Sequence, residues 1–141
     1  MLGASSGPAW DPVEGSADVL LLRHAPTRWN DHGRRQGWTD QPLTPDGRRA
    51  ARAWASRPDV EFAVVVASDL QRARETAQII AAELRLHDVV ELVGLREQDQ
   101  GAWTGLTKEE IKRYWPDRLR ERPRRPVGGE PSEVVLLSLI H

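Results

Sequence analysis

An unbroken apolar run, Val19-Leu20-Leu21-Leu22, stops abruptly at Arg23 and His24, and a polar stretch containing Pro26, Gly33, Gly37 and Pro42 follows. Consecutive apolar residues without polar alternation predict a strand buried on both faces, the mark of a parallel sheet covered by helices. Such sheets bind ligands beyond the carboxyl ends of their strands, where this run delivers Arg23 and His24. An arginine beside a histidine at that point suits phosphoryl chemistry. The planar guanidinium grips phosphate oxygens while a neutral imidazole attacks phosphorus. A loop as long as residues 25–43 is uncommon in a compact domain unless it serves a function.

Helical and extended patterns alternate downstream. Thr44-Pro45 opens a helix, with threonine as cap and proline at the first position, running to Arg57 before Pro58. Its Ala50, Ala53 and Trp54 are expected to face the core. Glu61–Ala67 reads as a second buried strand. Ser68 or Asp69 is expected to cap the next helix, which carries Leu70, Ala73, Ala77, Ile80, Ala81 and Leu84 at helical spacing. Asp88–Val93 reads as a short third strand. Thr107-Lys108-Glu109-Glu110 has the form of a capping box, opening a helix towards Tyr114 before Pro116. The charge-dense Arg118–Arg125 segment reads as a solvated loop or lid. This order predicts an α/β fold, a three-layer sandwich with a mainly parallel sheet.

At 141 residues the chain supports one domain. Residues 1–17, rich in Gly, Ser, Ala and Pro, read as a disordered tail without the basic start and apolar centre of a secretory signal, leaving 18–141 as the domain. A net charge of −1 offers no global attraction to nucleic acid or to a membrane surface. The absence of cysteine excludes disulfides and thiolate nucleophiles, and fits a cytoplasmic protein. No segment has the length of an apolar transmembrane helix.

Four collinear stretches resemble the histidine phosphatase superfamily, in its phosphoglycerate-mutase-like branch. Arg23-His24-Ala25-Pro26-Thr27-Arg28-Trp29-Asn30 is similar to the Arg-His-Gly signature, and Gln36–Thr44 to the segment after the nucleophile loop. Ser68-Asp69-Leu70-Gln71-Arg72-Ala73 resembles the second arginine motif. Leu95-Arg96-Glu97 with Gly101-Ala102-Trp103-Thr104-Gly105 resembles the stretch bearing the acid.

The resemblance implies a phosphomonoester hydrolase with His24 as nucleophile and transient phosphohistidine, Arg23 and Arg72 as phosphate clamps, and Glu97 as general acid. It puts Thr27, Asn30, Gln36 and Gly37 in the substrate pocket, and Arg34 near the distal part of the substrate. Choosing Arg72 over Arg74 rests on the family motif. The substrate class implied is a small phosphorylated metabolite. No metal or other cofactor is expected, since the chain shows no cluster at metal-ligand spacing.

Some positions depart from the family pattern. Ala25 replaces the signature glycine, a small steric demand. Pro26 stands where sugar-phosphate mutases carry glutamate, and Asp99-Gln100 where they carry His-Tyr; both favour phosphatase over mutase, which remains the alternative. The family's second catalytic histidine follows a Gly-Glu-Ser-like turn, a helix and a strand. Gly128-Gly129-Glu130-Pro131-Ser132 resembles that turn, but Val134–Ile140 supplies only one further element. The chain therefore reads as C-terminally truncated or replaced, with lowered stability and activity. His141 is a possible surrogate, and a phosphate-binding remnant without turnover is a third reading.

Overall fold

The computed structural model describes residues 19–57, 62–120 and 126–130. The expected tail over 1–17, residues 121–125 of the charge-dense segment, the 134–140 run and His141 lie outside those residues.

The elements, in chain order, are α1 (Arg28–Asp31), α2 (Pro45–Ala55), β1 (Val65–Ala67), α3 (Gln71–Glu83), β2 (Val89–Glu91) and α4 (Lys108–Tyr114), with 3-10 turns at Val93–Leu95 and Gly101–Trp103. Strands β1 and β2 pair in parallel, Val65 opposite Val89 and Ala67 opposite Glu91. The connection between them is α3, which packs on both strands and on α2. This is an α/β fold with a parallel sheet, as the alternating pattern predicts.

The Val19–Leu22 expectation is corrected. Among the described residues they join no ladder, and Val19 and Leu21 are 80% and 88% exposed. A strand is buried only when neighbours cover its faces and pair its edges. Among the described residues β1 is bonded to β2 alone, and the run lies across an open hollow from β1. Val64 and Val66 are exposed for the same reason.

Helix α2 starts as its sequence dictates: Thr44 Oγ1 accepts the amide of Gly47 at 3.0 Å, and Pro45 occupies the first turn. Its buried face is Gly47, Ala51 and Ala55, so the expected stripe is displaced by one residue; Ala50 and Ala53 are exposed. Trp54 is half-buried and stacks on Phe62 at 6.3 Å. Gly47 explains the rotation. A Cβ there would sit 2.3 Å from the carbonyl oxygen of Pro26, so the missing side chain lets the loop after His24 rest directly on the helix.

Helix α3 corrects another expectation. Neither Ser68 nor Asp69 caps it; the Gln71 amide donates to Asp40 Oδ1 at 2.9 Å, a cap supplied from the long loop. Asp69 is instead engaged by Arg96, whose Nε donates to it at 2.7 Å. The capping box of α4 forms as expected, with Glu110 N donating to Thr107 Oγ1 at 3.2 Å and Thr107 N to Glu110 Oε2 at 2.8 Å.

The long loop is not featureless: α1 interrupts it, opened by a second capping box between Thr27 and Asn30. The loop closes on itself through an antiparallel bridge between Thr27 and Leu43, and its middle is bridged to Thr107 through Arg34. Leu43, Ala25 and Ala51 form the core cluster beneath it.

Candidate active site

His24 is fixed by its neighbours. Its Nδ1 lies 2.8 Å from the Ala25 carbonyl oxygen. A carbonyl only accepts, so Nδ1 carries the hydrogen and Nε2 presents its lone pair. Burial holds the ring's pKa below the ordinary histidine value. The Ala25 bond works against this, the positive charges of Arg72 and Arg23 reinforce it, and Glu97 opposes it. The neutral ring is the nucleophilic form. The Ala25 amide donates to Thr76 Oγ1 at 2.9 Å, and that hydroxyl donates to the Arg72 carbonyl at 2.7 Å, tying the histidine's backbone to α3.

Arg72, in the first turn of α3, is 1% exposed. Its guanidinium donates to Gly37 O at 2.8 Å, Thr39 O at 3.2 Å and Glu97 Oε2 at 2.7 Å. The two carbonyls orient it, leaving further N–H groups of the fork for an anion. Arg74, the alternative on the same helix, points to Glu91 instead, at 3.8 Å.

Glu97 is positioned from three directions. Arg72 holds its carboxylate, and the Trp38 indole donates to its carbonyl oxygen at 2.8 Å. The preceding Arg96 stacks over the Trp38 ring, 5.0 Å from its centroid, while paired with Asp69 at the start of α3. Trp38, Asp69 and Arg96 lie inside the quoted motifs, yet spacing alone assigns them no task; their part is visible only once the three segments meet.

Arg23, His24, Arg72 and Glu97 line one hollow of about 700 Å³, so the structure brings the four expected residues together. A second hollow of about 220 Å³ shares Arg23 and Glu97 with the first and is lined further by Asn30, Arg34, Arg35, Gln36 and Lys108. Arg35 and Lys108 make it cationic, and sequence reasoning did not single them out.

The remaining expected pocket residues do different work. Thr27 is fully buried, its hydroxyl 2.7 Å from Gln36 Oε1 and 2.9 Å from Asn30 Oδ1, and it stiffens the loop behind the pocket wall. Gly37, at φ +51°, offers its carbonyl to Arg72, and a Cβ there would meet the Gln100 backbone nitrogen at 2.9 Å. Arg34 braces the loop rather than reaching outward, donating to Gly105 O at 2.5 Å and to Glu110 at 3.1 Å.

Comparison with known proteins agrees with this geometry. The family model described as the histidine phosphatase superfamily (branch 1) matches residues 19–136. An uncharacterized phosphatase PhoE of Bacillus subtilis is 38% identical over 102 residues, covering 72% of this chain and 52% of the relative. A 2,3-bisphosphoglycerate-dependent phosphoglycerate mutase 2 of Gloeobacter violaceus is 38% identical over 132 residues, covering 86% and 59%. The solved structure of a mycobacterial glucosyl-3-phosphoglycerate phosphatase complexed with VO3 superposes with a TM-score of 0.73 at 34% identity, covering 83% of this chain and 60% of that one. The chain spans roughly half the length of the curated relatives it matches.

Proposed function

Because the chain belongs to branch 1 of the histidine phosphatase superfamily, we propose that its site hydrolyses small phosphomonoesters through a phosphohistidine on His24. Nε2 attacks phosphorus as the ester P–O bond breaks, and Glu97 gives its proton to the departing oxygen. Water then attacks the phosphohistidine, returning a proton to Glu97 and releasing inorganic phosphate and the neutral ring. Arg23 and Arg72 hold the equatorial oxygens, where negative charge concentrates in the transition state. The incoming phosphate competes with Glu97 for Arg72, so a bound anion loosens the carboxylate from its partner. Asn30 and the Gln36-Gly37 turn shape the adjoining wall.

The observation that carries this reading is the Nδ1 hydrogen bond to Ala25, which leaves the other ring nitrogen its lone pair on a residue that shares one hollow with Arg23 and Arg72. The site takes a small phosphorylated metabolite, without nucleic acid or membrane partner, and we place the protein in the cytoplasm on the strength of its cysteine-free sequence. Among the described residues no helix is long and apolar enough to cross a membrane.

The test is phosphoenzyme trapping with a labelled generic phosphomonoester. An acid-labile, base-stable phosphoprotein that disappears in His24→Ala is expected; turnover that survives the substitution would overturn the assignment. The mutase reading draws support from the Gloeobacter relative. Turnover in ¹⁸O water separates the two, since hydrolysis places solvent oxygen in the released phosphate and phosphoryl return to substrate does not. Vanadate binding without any phosphoenzyme would identify a binding remnant.

A further inference from the structure

Consecutive residues of the long loop, Gly37 to Asp40, each contact one of the two segments that carry Arg72 and Glu97. Gly37 O and Thr39 O accept from the Arg72 guanidinium at 2.8 and 3.2 Å. Asp40 Oδ1 accepts the Gln71 amide at 2.9 Å. Trp38, among them, serves the other segment: its indole N–H donates to Glu97 O at 2.8 Å, and its ring lies under the Arg96 guanidinium, 5.0 Å from the centroid. Arg96 is in turn fixed by Asp69, just ahead of the helix that carries Arg72. Trp38 is 42% exposed, so filling a core does not account for the ring; its two directed contacts fall on adjacent residues, Arg96 and Glu97.

We propose, on the reading of Glu97 as the acid given above, that Trp38 is the residue that positions it for proton delivery. In the free protein Glu97 is held at both ends, its carbonyl by Trp38 and its carboxylate by Arg72 at 2.7 Å. A bound phosphate draws Arg72 away, and the carboxylate then hangs from the backbone on its rotatable stem. Among the described residues, the anchor left on Glu97 itself is the indole hydrogen bond to its carbonyl. The Arg96–Asp69 pair and the bond from the Asp99 amide to Glu130 hold the stretch on either side. Displacing a reacting group by about 1 Å costs roughly a hundredfold in rate, so a bond that adds little stability carries weight as geometry. The consequence depends on the leaving group. An alkoxide needs a proton as its P–O bond breaks and the Nε2–P bond forms, whereas a nitrophenolate departs as the anion and needs none. Losing the anchor therefore slows transfer from an alkyl ester and spares an aryl one, while Arg23 and Arg72 still capture the phosphate.

The test uses Trp38→Phe, which keeps a ring under Arg96, and a second variant with benzothienylalanine in place of Trp38, which keeps the whole bicycle and exchanges only the N–H for sulfur. In both, kcat/KM for ethyl phosphate is expected to fall about tenfold or more, and for para-nitrophenyl phosphate by roughly threefold at most, with the affinity for inorganic phosphate unchanged. An equal loss on both esters would make Trp38 a merely structural residue, and no loss on either would leave it without this task; each result overturns the proposal. The sulfur variant preserves shape, so it decides the matter should Trp38→Phe not fold. If the parent chain turns over neither ester, the reading of the site as a hydrolase fails while Trp38 is still tested by binding. Vanadate, whose apical oxygen takes the place of the leaving group, is then expected to bind the parent about fivefold more tightly than either variant, with phosphate bound equally by all three. Equal vanadate affinity overturns the positioning role, and a parent that binds neither anion refutes both readings.

Discussion

Replacing Arg72 by methionine removes a charge from the most thoroughly buried cation of the site while filling most of its space. The side chain supplies donors to the carbonyls of Gly37 and Thr39 and to the Glu97 carboxylate. The buried Gly37 carbonyl left without a donor costs about 1–3 kcal/mol, and the part-buried Thr39 carbonyl, which water can reach, adds up to about 1 kcal/mol. The Glu97 pair adds little, because its side chain is 38% exposed and turns to water once released. The expected loss is therefore about 1–4 kcal/mol. With a urea dependence of roughly 1.5 kcal/mol per molar, the unfolding midpoint falls by about 1–3 M. Binding of inorganic phosphate, followed by calorimetry, weakens by roughly ten- to a hundredfold, the worth of one charged hydrogen-bonding group. The His24 titration followed by NMR moves upward as well, since a positive charge that depresses it is gone. Methionine tolerated with an unchanged midpoint and unchanged phosphate affinity would refute the placement of Arg72 as a buried clamp.

Gly47→Ala sets two rules against each other: helix propensity favours alanine by about 1 kcal/mol, but the new methyl would meet Pro26 O at 2.3 Å. Destabilisation in a thermal melt is expected, and a raised midpoint would show that the loop yields. Thr107→Ala removes the α4 cap and costs about 1 kcal/mol by urea unfolding, with Thr107→Ser restoring most of it; equal stability of all three forms would refute the cap. The lowered pKa of His24 gives a pH signature of definite sign. The unfolded ring binds its proton more readily than the folded one, so this contribution is complete above about pH 6.5 and declines as pH falls from there towards the folded pKa. Chemical denaturation across that window should slope less in His24→Gln than in the parent, and identical slopes would contradict the buried neutral ring.

Much of the site is legible in the sequence because its parts are local. Arg23 and His24 adjoin, Arg72 is singled out by its motif and not by its place on a helix, and the capping box at Thr107 needs only four residues. The starts of α2 and α4 are readable from Thr44-Pro45 and Thr107 for the same reason. What escaped reading depends on encounters across the chain. Asp40 caps α3 from more than thirty residues away, a role that Ser68 and Asp69 were better placed in sequence to fill. Trp38 and Arg96 acquire their shared task only when two loops stack. The Gly47 face of α2 is set by a carbonyl of another segment, so the apolar stripe alone misplaced it by one residue. The Val19–Leu22 run shows the sharpest difference: its composition records an environment that the described neighbours do not provide, and composition alone cannot distinguish being suited to burial from being buried.

The anchoring of the 26–44 segment has a consequence for how ligands arrive. It is cinched at its base by the Thr27–Leu43 bridge, seated on α2 through Pro26, and laced to the 105–107 stretch by Arg35 N to Leu106 O and Gly105 N to Arg35 O, at 2.9 and 2.8 Å. A mouth stitched at three points does not swing open and shut. On the function proposed above, the groups of that segment stand preassembled, so little ordering entropy is spent when a phosphate binds.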